Sequence, residues 1–160
     1  MKVECVKGLI SKGIQEEAEY WRFPIEKLSK EQAEKIKYSI RRKYIEDGLE
    51  KNWMFLWEHF IDDSIVIDDH GWELICDFVG TSPCLLLFDV DDDEDVFLNK
   101  NGRDLFKLID QGDSFNEFYV TDFETSYLLG FSHEKTLHGC GIAKRWVDSL
   151  KGTKHHDELL

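Results

Sequence analysis

Two periodicities alternate along the chain. Around residues 117–131, Phe118, Val120, Tyr127, Leu129 and Phe131 recur at every second position, the spacing of a half-buried strand. Asp122 to Glu124 separates them as a turn, which predicts an antiparallel hairpin with strands at 116–122 and 125–131. Residues 84–90, CLLLFDV, form a continuous apolar run and predict a buried strand that pairs with a strand at 95–99. The aromatics of Asn52 to Phe60 favour a further strand at 52–58. Elsewhere the apolar spacing is helical. Val3, Val6, Leu9, Ile10, Ile14 and Ala18 predict a helix over 4–20 that ends before Phe23-Pro24. Ser29 opens a capping-box pattern with Gln32, followed by a helix over 30–45 with Ala33, Ile36, Ile40 and Tyr44 on one face. Helices are also predicted over 70–79, ending at Gly80, and over 102–111, capped by Asn101.

Gly139 and Gly141 flank Cys140, which suggests a tight turn into a closing helix over 141–151. Ile142, Trp146, Val147 and Leu150 are expected on its buried face, with Trp146 in the core. Asp62-Asp63 and Asp68-Asp69 flank the short apolar run Ile65-Val66-Ile67. The expectation is an α+β fold, a mainly antiparallel sheet of about five strands covered by helices. It forms one domain over 1–152, with a helical part (1–48), a sheet-bearing part (49–152) and a frayed tail (153–160).

Composition narrows the class. The 160 residues are 42% hydrophobic and 13% aromatic, enough for a core and far from a disordered composition. The four cysteines, at 5, 76, 84 and 140, lack close spacing, and no apolar leader or membrane-length run accompanies them, so free thiols in the cytoplasm are expected. The net charge of −13 is uneven: residues 1–60 carry 12 Lys/Arg against 11 Asp/Glu (+1), and residues 61–160 carry 8 against 22 (−14). Such a surface repels nucleic acid and favours encounter with a basic protein. The basic cluster Arg41-Arg42-Lys43 is explained by the C-terminal end of its helix.

The acid run Asp89, Asp91, Asp92, Asp93, Glu94 and Asp95 is the first candidate site, and Asp62, Asp63, Asp68 and Asp69 are the second. Calcium is not indicated: a loop starting at Asp89 has Glu94 where Gly is required and Lys100 where Glu is required. The run is either a solvated hairpin loop or a surface for a Lys/Arg-rich protein. His133 to His138 lacks the i, i+4 histidine spacing of a zinc helix, so no metal is expected. Cys140 with His138 is a candidate nucleophile and base if the thiol opens a helix and the two side chains meet. No phosphate-binding loop or nucleophile elbow occurs, and no cofactor is expected. The tail contains HDEL, but Leu160 follows it.

The stretch FYVTDFETSYLLGFSHEKTLHGCG resembles a bacterial family of small acidic proteins in its hairpin, its Leu-Leu strand, its His-bearing turn and its Gly-rich approach to the last helix. Trp72-Glu73-Leu74 and the strand over 84–90 resemble that family's middle section, so the resemblance covers about residues 50–150. The family resembles immunity proteins that neutralise polymorphic toxins of bacilli, especially those with an LXG secretion domain and a nuclease tip. The resemblance implies a non-catalytic protein that occludes a cognate basic toxin domain, with no catalytic residue to carry over. The alternatives are a small enzyme using Cys140 and His138, or an adaptor for another protein.

Overall fold

The computed structural model describes residues 9–51, 55–89, 94–111 and 117–151. Among them are seven strands and five helices. The strands are β1 (Ile25–Lys27), β2 (Ser64–Ile67), β3 (Cys84–Leu87), β4 (Phe97–Asn99), β5 (Phe118–Thr121), β6 (Tyr127–Phe131) and β7 (Thr136–Gly141). The helices are α1 (Leu9–Trp21), α2 (Lys30–Tyr44), α3 (Gly71–Val79), α4 (Gly102–Gln111) and α5 (Ile142–Leu150). All strands lie in one sheet, ordered β1-β4-β3-β5-β6-β7-β2, and every neighbouring pair is antiparallel.

The α+β architecture and the five expected helices are present, with shifts at their ends; residues 4–8 of the first expected helix and the tail expected at 153–160 lie outside the described residues. α2 starts with the expected capping box, and Ala33, Ile36, Ile40 and Tyr44 are its buried residues. The hairpin of β5 and β6 and the pairing of β3 with β4 are also present. The sheet has seven strands rather than about five. Of the strand expected at 52–58, residues 52–54 lie outside the described residues, and Leu56–His59 form a 3-10 turn. Its aromatic side chains sit on the sheet instead of extending it. The run Ile65-Val66-Ile67 belongs to β2, an edge strand. β1, from the part expected to be helical, forms the opposite edge.

The turn expected at Gly139-Cys140-Gly141 is instead the end of β7, which pairs with both β6 and β2. The two glycines have separate reasons. A Cβ on Gly139 would lie 2.5 Å from the Val147 side chain, so its absence lets α5 cross close to the strand. Gly141 has φ +63° and caps α5, the left-handed conformation that a residue without Cβ adopts at little cost.

Period-two alternation sends side chains to two faces. On the first, Leu86, Phe97, Phe118, Val120, Leu129 and Leu137 pack against α1, α3, α4 and α5 through residues such as Ile14, Ile75, Leu105 and Val147. On the second, Leu85, Leu87, Tyr119, Leu128 and Cys140 pack against α2, Ile45 and Leu56. α5 buries Ala143 and Val147, whereas Ile142 is exposed. Trp146 is half-buried against the first core, with its ring 4.9 Å from that of Phe78. It flanks the core rather than filling it, because Ala143 and Val147 take the positions facing the sheet.

Candidate partner-binding face

The structure separates the two acidic groups. Asp89 continues the alternation of Leu85 and Leu87 onto the second face and is 1% exposed. Its Oδ1 accepts hydrogen bonds from the Tyr119 hydroxyl at 2.9 Å and the Leu56 N–H at 3.0 Å. Asp89 is therefore part of the interior and not a surface contact, a correction to the expectation for the run. Asp91, Asp92 and Asp93 lie outside the described residues. Glu94 is exposed and Asp95 half-buried. The Lys37 ammonium donates to the Glu94 carbonyl, and Lys27 Nζ lies 3.9 Å from Asp95 Oδ2. With Lys30 and Arg41 they line a groove of about 990 Å³. The near-neutral N-terminal part thus sets its own cations beside this end of the run and offsets its field.

The second group surrounds β2. Asp62 is exposed at the strand's N-terminal side and accepts from Lys144 of α5; that bond raises the Lys144 pKa. Asp63 is half-buried, with Oδ2 2.9 Å from His138 Nδ1. At the other end Asp68 Oδ1 accepts the His70 N–H at 2.8 Å and fixes the entry to α3, and Asp69 is exposed. Between these carboxylates, Ile65 is 43% exposed and Ile67 78%. Their neighbours Ser64 and Val66 point to the opposite, helix-covered face, where the Ser64 hydroxyl donates to Asp148 Oδ1 at 2.5 Å. This bond is the first cause holding the Asp148 carboxyl below its usual range, with Lys151 adding to it.

A third group went unseen in the sequence. Trp57, in the 3-10 turn, donates its indole N–H to Glu117 Oε2 at 2.8 Å. The same oxygen accepts the His133 N–H at 3.2 Å and lies 2.5 Å from His133 Nδ1. The Trp57 ring lies 5.8 Å from the His133 ring and 5.6 Å from that of His138. Phe60 packs edge-on to both His138 and Tyr119 above Gly130, where a Cβ would come within 3.0 Å of the Tyr119 ring. Burial, reinforced by the charge on Asp89, holds the Tyr119 hydroxyl well above its ordinary pKa. This network fastens residues 55–60 to the second face. Its carboxylate–histidine pairs join residues 16 and 75 positions apart, beyond the reach of local pattern. Asp89 did carry a signal, since it continues an alternating series.

His138 and Cys140 share the second face of β7, but no hydrogen bond joins them among the described residues. The Cys140 thiol is fully buried, and burial, with the charges of Asp63 and Asp62, pushes its pKa up rather than down. A thiolate nucleophile needs the opposite environment. Among the described residues no group of three or more His, Cys, Asp or Glu is placed to hold a metal ion, and no helix is long and apolar enough to cross a membrane.

No family model, curated protein or solved structure matches the chain. The family resemblance rests on its motif residues alone.

Proposed function

We propose that this chain is a non-catalytic immunity-type protein that binds a basic, nuclease-type toxin domain and occludes its active surface in the cytoplasm. One observation carries the reading: β2 exposes Ile65 and Ile67 within a frame formed by Asp62, Asp63, Asp68 and Asp69. An apolar centre with a charged rim is the arrangement of a specific protein interface. The −14 charge of residues 61–160 (8 Lys/Arg against 22 Asp/Glu) steers a cationic partner toward it. The three buried free thiols, Cys76, Cys84 and Cys140, suit a reducing compartment.

The test is co-expression with the C-terminal domain of an LXG-type toxin encoded beside the gene. The reading predicts survival of the host, a stable complex of the two purified proteins and loss of nuclease activity in that complex. Death of the co-expressing host, with both proteins soluble and unassociated, would contradict it.

A further inference from the structure

The edge at β2 has a backbone pattern as well as a side-chain pattern. In an antiparallel pair, residues alternate between those that exchange main-chain hydrogen bonds with the neighbour and those that direct N–H and C=O away from it. The Asp68 N–H bonds to the Lys135 carbonyl at 2.9 Å, which puts Asp68 in the bonded class. Counting back along the register, Val66 opposite Leu137 and Ser64 opposite Gly139 share that class. Ile65 and Ile67 therefore aim their N–H and C=O groups outward, on the side of β2 where the sheet has no further strand among the described residues. Their side chains are the exposed ones.

The opposite edge is protected. β1 has three residues, follows Pro24 and carries Glu26 and Lys27, features that discourage another strand from pairing there. β2 is Ser-Ile-Val-Ile, with no proline or charge inside it. Its carboxylates stand only at its ends, and a four-residue strand is about 13 Å long.

We propose that the partner adds a strand to this edge: an extended segment pairs its backbone with Ile65 and Ile67, covers their side chains with its own apolar residues, and sets Lys or Arg at its ends against Asp62, Asp68 and Asp69. This deepens the immunity reading and rests on it for the identity of the partner. Backbone bonds would supply affinity and the alternate side chains specificity. Lys144, beside Asp62, is the cation already at one of these ends, and an arriving charge competes with it. A second copy of this chain is a poor occupant, because it would bring the same carboxylates face to face.

The probe is the acetylated, amidated peptide KTVTVTK, read by amide hydrogen exchange and NMR shifts on the full chain. Strand addition predicts that saturating peptide slows exchange at least tenfold at the Ile65 and Ile67 amides, with smaller change at Val66. A peptide N-methylated at alternate residues, and the acidic version ETVTVTE, should each bind at least tenfold more weakly. Unchanged exchange at both amides, or equal binding by the N-methylated peptide, overturns the proposal. So does a homodimer in light scattering that protects these amides without peptide. A complex with the toxin domain in which Ile65 and Ile67 still exchange freely overturns strand addition and leaves the immunity reading standing. Protection by peptide without any toxin complex supports strand addition and removes the immunity reading.

Discussion

The two faces of the sheet are built from the same strands and differ in kind. The first is closed by four helices over an apolar core: Phe118, Val120 and Leu129 meet Ile75, Leu105, Leu108 and Val147, all fully buried or nearly so. The second is covered by α2 and the 55–60 segment and buries Asp89, Glu117, Thr121 and His138 beside its leucines. At its β2 end the covering stops, leaving Ile65 and Ile67 exposed. The first face holds the fold together. The second gives up apolar packing for polar contacts that fix the 55–60 segment. That division is the ground on which the proposed partner contact is put on the second face.

Truncation within the first face should have the largest effect. Phe118 is fully buried, so Phe118→Ala is expected to cost about 3–5 kcal/mol in chemical denaturation. A cost under 1 kcal/mol would erase the contrast between the faces. Alkaline pH comes next. Burial raises the first-face thiols Cys76 and Cys84 from 9.0 to about 12. The unfolded chain releases those protons above pH 9 while the native state keeps them, so stability falls as pH rises, by about 1.4 kcal/mol per pH unit for each group. At pH 10 the two together should account for about 3 kcal/mol. Cys140 and Tyr44, also raised by burial, add the second face's share. Urea unfolding at pH 8 and pH 10 should give a clearly shallower fall for Cys76→Ala/Cys84→Ala; an equal fall would show that these thiols titrate normally.

On the second face, Asp89→Ala removes the acceptor for Tyr119 and for the Leu56 N–H. It should cost about 1–3 kcal/mol, with fluorescence of Trp57 reporting a loosened 55–60 segment. If only global stability moved and the Trp57 signal did not, the carboxylate would not be anchoring that segment. Trp146→Ala should cost about 2 kcal/mol, below the 3–5 kcal/mol of a fully buried aromatic, because the ring is half-exposed. A loss as large as that for Phe118 would mean Trp146 belongs to the core after all.

The helices were legible because each has a boundary written in a few residues: Ser29 with Gln32 for α2, Gly80 after α3, Asn101 before α4. The central strands were legible because runs such as Cys84 to Leu87 are buried on both faces. What failed was short or doubly constrained. β1 and β2 have three and four residues, too few to show alternation. β7 was hidden by glycines that serve close packing and a cap rather than a turn. The aromatics at Phe55 to Phe60 fitted strand propensity, but their rings pack onto Tyr119, His133 and His138, a tertiary reason that propensity does not encode. Of the candidate site, the carboxylates around β2 were visible, whereas the exposure of Ile65 and Ile67 depends on where α2 and the 55–60 segment stop.

The smallest expected effect on stability bears most directly on function. Ile65→Lys/Ile67→Lys changes exposed edge positions and should leave the melting temperature close to that of the parent chain, within about 0.5 kcal/mol per site. Titration calorimetry of this variant against the toxin domain tests whether the uncovered end of the second face is where the partner sits. The account predicts at least a tenfold weaker complex from a protein as stable as the parent. Unchanged affinity would contradict it.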